Sequence, residues 1–418
     1  MAAFKTLDDL PDDLTGKRVL VRVDFNVPFQ AGAISDDTRL RAAVPTIAEL
    51  SDRGAIVLLL SHFGRPKGQT RPDMSLALLV RPLAELTGRP VRFIEDCQGP
   101  EAARAITTMM TGSIAILENT RFHLGEEKND PALAKAMAAL GDYYVDDAFS
   151  AAHRAHASTE GITHYLPSFA GRAMEAELTA LEKALGNPDR PVAAVVGGAK
   201  VSSKLAVLGH LVSKVDHLII GGGMANTFLA ARGVNVGKSL CEHDLVGEAA
   251  AMLPIGGEAW VGVGFQIDPH EAARPAPKAN TLGKNLKFAA NPPSLRTINV
   301  HEVAPDEMIL DVGPAAVEAL SDVLKNCRTL VWNGPLGAFE TPPFDAATVA
   351  LAKTAAALTE GGSLVSVAGG GDTVAALNHA GVVPDFSFVS TAGGAFLEWM
   401  EGRTLPGVAA LENSRSTC

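Results

Sequence analysis

Val192-Ala193-Ala194-Val195-Val196-Gly197-Gly198-Ala199-Lys200 is the stretch that decides the fold. Five aliphatic residues without a polar break suit a strand buried on both faces, the hallmark of a parallel sheet. The glycine pair then allows a tight turn, and the spacing predicts a helix directly after it. Lys200 and Lys204, four apart, would share one face of that helix. The same unit recurs along the chain. Arg18–Val23, Ala55–Leu60, Ser113–Leu117 and Tyr143–Val145 read as strands, as do His217–Ile220, Thr329–Trp332, Ser363–Val367 and Phe388–Thr391. Thr38–Arg53 and Pro131–Leu140 carry apolar residues at helical spacing between them. Alternating strands and helices make an α/β protein with parallel sheets.

The 418 residues fit two domains. Gly171–Leu185 (GRAMEAELTALEKAL) reads as a helix with Ala173, Leu178, Leu181 and Leu185 near one face, stopped by Gly186-Asn187-Pro188. The expected division is residues 1–170, a connecting helix and hinge over 171–190, and a second domain over 191–401.

Apolar residues make up 47% and charged residues 20%, a globular composition. Aromatics are 5%, so the core is mainly aliphatic. The net charge of −11 argues against a nucleic-acid partner. No apolar run reaches about 18 residues, which argues against a membrane span. Four scattered cysteines without a CxxC pair argue against a zinc ribbon or disulfide scaffold and for a cytoplasmic setting. The acidic Met1–Asp13 segment lacks a basic-then-apolar signal pattern.

Chemistry gathers where strands end. Asp24-Phe25-Asn26 closes the first strand, and Arg39 opens the following helix. His62-Phe63-Gly64-Arg65 closes the second, Arg121 follows the third, and Arg154 follows the fourth. Strand carboxyl ends converge in parallel sheets, so these residues form one basic basin. Arginine forks bind carboxylate and phosphate bidentately, which suits a small anionic substrate. The histidines lack HxH or HExxH metal spacing.

The second half carries four glycine turns after aliphatic strands: Gly197-Gly198, Gly221-Gly222-Gly223, Gly369-Gly370-Gly371 and Gly393-Gly394. Backbone N–H groups at such turns cradle phosphate, and Asp372 is placed to hold Mg²⁺. A Walker A motif is absent. One half for a small acid and one for a nucleoside triphosphate implies phosphoryl transfer.

These residues resemble the phosphoglycerate kinase family. Arg22–Pro28 (RVDFNVP), Ser61–Pro66 (SHFGRP), Glu118–Asn129 (ENTRFHLGEEKN), Asp147–Ser158 (DAFSAAHRAHAS), Gly197–Leu205 (GGAKVSSKL), Trp332–Glu340 (WNGPLGAFE), Gly369–Thr373 (GGGDT) and Ser390–Glu398 (STAGGAFLE) occur in family order. The resemblance implies two Rossmann-like domains joined by an interdomain helix, with the tail, about 402–418, returning to the first domain. It implies reversible transfer between ATP and the carboxylate of 3-phosphoglycerate, giving ADP and 1,3-bisphosphoglycerate, by in-line transfer with hinge closure. It assigns Asp24, Phe25, Asn26, Arg39, His62, Phe63, Gly64, Arg65, Arg121 and Arg154 to 3-phosphoglycerate. It assigns Lys200, Lys204, Gly221, Gly222, Leu310, Asn333, Pro335, Glu340, Gly370, Gly371, Asp372 and Thr373 to the nucleotide, with Asp372 on Mg²⁺, Glu340 at the ribose and Leu310 at the base. Arg39, Lys204, Gly371 and Gly394 would serve catalysis, in a monomer.

Two stretches depart from the family. Ala392 replaces a glycine in the Ser390–Ala395 turn, and a negative φ is expected there. Leu253–Val300 loses the pattern, which recovers at Asp306–Pro314 (DEMILDVGP). A non-catalytic scaffold role is the main alternative, opposed by the retained Arg39, Lys204 and Asp372. A dinucleotide-dependent dehydrogenase would need a GxGxxG followed by an acidic residue, which is absent.

Overall fold

The computed structural model describes residues 4–30, 33–252, 272–276, 298–299 and 302–414. The expected departure over Leu253–Val300 lies almost wholly outside them. The chain divides into two compact units. The first is Met1–Leu178 with Thr404–Cys418, and the second is Thr179–Arg403.

The first unit is built on a six-stranded parallel sheet. Its strands are β1 (Arg18–Arg22), β4 (Ile56–Leu60), β5 (Val91–Ile94), β6 (Ile114–Leu117), β7 (Tyr143–Asp146) and β8 (Ser168–Ala170), in the order β5-β6-β4-β1-β7-β8. A small hairpin, β2 (Phe29–Gln30) with β3 (Ala33–Ile34), follows β1. The helices are α1 (Thr38–Asp52), α2 (Val80–Thr87), α3 (Gly99–Thr107), α4 (Pro131–Ala138) and the start of α5 (Arg172–Leu181). Alternate residues of the central strands feed separate cores. Val19, Val57 and Ile116 pack with Ile47 and Leu50 of α1 on one side. Leu20, Leu58, Ala115 and Leu117 pack with Met137 of α4 on the other. Full burial of both faces explains why these strands read as unbroken aliphatic runs.

The N-terminus of α5 is held by two other elements. Asp147 Oδ1, just beyond β7, accepts from the N–H groups of Ala173 (2.8 Å) and Met174 (3.2 Å). Thr46 Oγ1 of α1 accepts from Arg172 N at 2.8 Å. The regular helix ends at Leu181 and widens into a π-helical turn over Glu182–Gly186, so the continuous helix expected over 171–185 is corrected at its last turn. α13 (Pro406–Asn413) belongs to the first unit, where Ser414 Oγ donates to Ser168 O at 3.3 Å.

The second unit has a five-stranded parallel sheet in the order β10-β9-β14-β15-β16: β10 (His217–Ile220), β9 (Val192–Val196), β14 (Thr329–Asn333), β15 (Val365–Gly369) and β16 (Phe388–Ser390). An antiparallel trio sets β11 (Ala272–Ala276) between β12 (Ile298–Asn299) and β13 (Met308–Asp311). The helices are α6 (Leu205–Leu211), α7 (Gly222–Ala231), α8 (Val246–Met252), α9 (Pro314–Asn326), α10 (Ala346–Glu360), α11 (Gly371–Ala380) and α12 (Gly393–Met400). Among the described residues, no helix is long and apolar enough to cross a membrane.

α6 starts five residues later than the sequence suggests. Residues 197–204 form an irregular loop, and Lys204 is the residue before the helix. Lys200 and Lys204 therefore share no helical face. The reason lies 40 residues away: Glu242 accepts from Ser202 N (2.9 Å) and Ser202 Oγ (2.6 Å). These bonds pair loop donors and so steady an irregular course of the backbone.

Candidate active site

In the first unit the site grows from the carboxyl end of β1. Asp24 pairs with Arg39 at the head of α1 (Oδ2 to Nη1, 2.8 Å), and Arg39 Nη1 also donates to Asn26 O at 3.0 Å. Asn26 Oδ1 accepts from Gly64 N (2.9 Å), and Arg121 Nη1 donates to Gly64 O (2.9 Å). Asp24, Asn26, Arg39, Gly64 and Arg121 are thus one bonded cluster drawn from three strand ends. Burial alone would raise the Asp24 carboxyl. The Arg39 charge, with hydrogen bonds from Ser150 Oγ and Asn26 N–H, opposes that rise.

His62 lies against this cluster through Arg22, whose Nη2 donates to His62 Nδ1 at 3.0 Å. Burial first, then the Arg22 charge, push the His62 pKa well below its usual value. The ring is neutral at pH 7, with Nδ1 accepting and the proton on Nε2. The expectation that His62 adds positive charge to the basin is corrected: it offers a neutral N–H. Arg65 is exposed and makes no hydrogen bond or ion pair among the described residues. Arg154 is exposed, with Nε on His153 Nε2 at 3.0 Å. It is close enough to Arg121 for the two charges to repel. Phe25 and Phe63 belong to the same strand ends. Their rings are buried in the core, and their N–H groups already donate to Ser61 Oγ (2.9 Å) and Asn119 Oδ1 (3.2 Å).

Sequence reading missed the layer beneath. Arg22 is fully buried, and its Nε donates to Ser158 Oγ at 2.9 Å. Ser158 Oγ in turn donates to Glu126, which also accepts from Ser158 N at 3.0 Å. An arginine inside an otherwise aliphatic strand was the available signal, since a buried charge requires built partners.

In the second unit a cavity of about 380 Å³ is walled mainly by apolar groups. Gly222, Leu310, Pro335, Glu340 and Asp372 line it. Gly221 packs beneath, where an added Cβ would lie 2.7 Å from Leu336 Cα. The floor is backbone on backbone. A Cβ on Gly197 would meet Pro335 O at 1.9 Å, and one on Gly334 (φ +115°) would meet Gly197 O at 2.1 Å.

Lys204 stands beside this cavity. Its Cε is the nearest group to the empty side-chain position of Gly198, a lining residue. Its ammonium donates to Asn333 O at 2.9 Å and to Asn333 Oδ1. An ammonium has three donors, so one is left for a ligand. Burial lowers the Lys204 pKa to about 8 against the opposing charge of Asp372. Asn333 Nδ2 donates to Gly369 O (2.7 Å), and Thr373 Oγ1 accepts from Gly334 N (2.7 Å). Asn333 and Thr373 are therefore braces for the lysine and the glycine turns. Lys200 is exposed in the loop.

Gly370 precedes α11 with φ +102°, a conformation that needs glycine. Gly371 opens that helix, and Gly393 with Gly394 opens α12. The two helix starts adjoin: a Cβ on Gly393 would lie 3.7 Å from both Gly370 Cα and Gly371 N. Their N–H groups lie side by side, the kind of edge that helix N-termini offer to anions. Ala392 has φ −92°, the negative value expected.

The family model for phosphoglycerate kinase matches residues 7–403. The chain belongs to the phosphoglycerate kinase family. It is 70% identical over 410 residues to the phosphoglycerate kinase of Rhizorhabdus wittichii, covering 98% of this chain and all of that one. It is 65% identical over 410 residues to that of Zymomonas mobilis, with the same coverage. Among solved structures, phosphoglycerate kinase from Coxiella burnetii matches with a TM-score of 0.87 at 39% identity, covering 98% of this chain and 99% of that one. The enzyme from Pyrococcus horikoshii OT3 matches at 0.77 and 30%, covering 99% and 100%. As a family member this chain is a kinase of ATP-dependent phosphoryl transfer with 3-phosphoglycerate, using ATP and ADP, with Mg²⁺ as the usual metal. The donor set fits that metal: Asp372 is an exposed carboxylate at the cavity, a hard oxygen ligand with no hydrogen bond among the described residues.

Proposed function

We propose that the two clusters divide the reaction between them. Arg39, Arg121, Arg154 and Arg65, with the neutral His62 and with Asp24, Asn26 and Gly64, hold 3-phosphoglycerate. Phe25 and Phe63 support that loop from the core. The cavity with Gly222, Leu310, Pro335 and Glu340 holds the nucleoside, and the α11 and α12 N-termini hold its phosphates. Mg²⁺ on Asp372, when bound, neutralises phosphate charge.

The acceptor is a carboxylate with a pKa of about 3.5–4, already ionised at pH 7, so no general base is needed. Its oxygen forms the new bond to the γ-phosphorus as the bond to the β–γ bridging oxygen breaks, and ADP leaves with that electron pair. Charge is the obstacle, and Arg39 and Lys204 answer it, aided by the amides of Gly371 and Gly394. Water would hydrolyse the acyl phosphate, so the bound ligands meet away from it. We assign that approach to bending over residues 171–190. We read the chain as a cytoplasmic monomer, in keeping with its scattered, unpaired Cys97, Cys241 and Cys327.

The observation that carries this reading is Lys204, a half-buried ammonium fixed by Asn333 with one donor left beside the cavity. A non-catalytic scaffold would have no use for a cation so costly to bury. The test is ATP-dependent phosphorylation of 3-phosphoglycerate in a coupled assay with the full chain. No turnover, or full turnover in Lys204→Ala, would refute it.

A further inference from the structure

The nucleotide cavity is apolar where α7 forms its wall, with one exception. Ala225, Asn226 and Leu229 line that side, and Ile309 and Leu310 line the same cavity. A base fits such a slot by its faces, and one or two polar groups then fix its edge. Asn226 is 1% exposed. Its Nδ2 donates to Leu240 O at 3.2 Å, and this sets the orientation of the amide, because a carbonyl must face the NH₂ and not the oxygen. Oδ1 is consequently left buried, shut from water, with no donor among the described residues.

A buried acceptor without a donor is rare and calls for a cause. A leucine of similar size would fill the place without the loss. The neighbouring polar groups do not explain it: Cys241 Sγ turns to the backbone oxygen of Asn226, at 4.0 Å, and Thr227 Oγ1 accepts from Glu242 N at 3.0 Å. Leu240 supplies the fixing carbonyl and also lines the cavity, and its side chain is 40% exposed.

We propose that Asn226 is a specificity-determining residue of this cavity, whose Oδ1 accepts a hydrogen bond from the exocyclic 6-amino group of the purine. The base displaces the exposed Leu240 side chain to reach it. A 6-oxo purine sets an acceptor against Oδ1 and binds less well. This rests on the reading of the cavity as the nucleotide site.

The test compares ADP with purine riboside 5′-diphosphate, which lacks only the 6-amino group, by titration calorimetry on the full chain. The wild type is expected to bind ADP roughly three- to tenfold more tightly, the span of one net hydrogen bond. Asn226→Leu and Asn226→Ala are expected to bring the two ligands within about twofold, mainly by weakening ADP, with the melting temperature of Asn226→Leu no lower than wild type. Equal binding of both ligands by the wild type, a comparison that needs no variant, would overturn the proposal. So would an undiminished gap in both variants. If ADP itself does not bind, the nucleotide reading beneath the proposal is what has failed.

Discussion

Raising the pH is the most direct test of Lys204, because its ammonium is the side-chain cation that the second unit places on the transferred group in this mechanism. The pKa is lowered to about 8 by burial. The charged fraction then falls from about 90% at pH 7 to about 10% at pH 9. If only the ammonium supports transfer, kcat/KM for ATP falls about tenfold across that interval, approaching tenfold per pH unit beyond it. In kcat the same limb lies at higher pH, since the bound polyphosphate favours the charged form. The coupled assay is run from pH 7 to 9.5 with the coupling enzymes in excess at each pH. Lys204→Arg provides the control: a guanidinium stays charged throughout, so its activity, however low, loses the limb. Asp372→Asn removes the charge that raises the lysine pKa and moves the limb to lower pH. Lys200→Ala, which alters an exposed loop residue, keeps the limb and costs less than Lys204→Ala. A flat wild-type profile, or the same limb in Lys204→Arg, would refute the reasoning.

Arg39→Ala is expected to lower kcat by roughly a hundredfold or more while changing KM for ATP little, the scale of losing one transition-state donor; unchanged turnover at saturating substrates would remove Arg39 from that role. Asp146 is buried and its pKa is raised to about 7, mainly by burial. Its protonated form is favoured by the fold, so its contribution to stability is present at low pH and lost as pH rises towards 7. The melting temperature of Asp146→Asn minus that of wild type should therefore grow between pH 5 and pH 8, and a constant or shrinking difference would contradict this. Ala392→Gly should gain no tenfold in kcat, because a φ of −92° imposes no strain on alanine; such a gain in the coupled assay would show that the turn needs glycine.

Much of the sheet was legible because parallel strands buried on both faces need uninterrupted aliphatic runs. Val192–Val196 and His217–Ile220 have the bounds their composition suggests. Less was legible where distant side chains set local structure. Glu242 holds the loop before α6 in a form that its own spacing does not encode. Val91–Ile94, broken by Arg92, joins the sheet edge against β6 although its apolar run is short. At the site, the arginines announced themselves by position after strands. The protonation state of His62 did not, because it depends on the contact with Arg22. Nor did the bracing roles of Asn333 and Thr373, which depend on carbonyl and N–H groups contributed by separate turns.

The backbone floor beneath the nucleotide cavity has a consequence for sequence variation. Where Gly197 and Gly334 approach the Pro335 and Gly197 carbonyls, no side chain of any size can be admitted without parting two adjacent strand ends. Most sites in a protein offer a graded menu of substitutes; here the grading vanishes, and alanine is as inadmissible as tryptophan. In a library of single variants selected for growth on this enzyme, the apolar walls at Leu229, Ile309 and Leu310 should accept many aliphatic exchanges. Gly197 and Gly334 should return none. The cavity is thus bounded by surfaces of opposite evolutionary freedom: walls open to revision and a floor that is fixed.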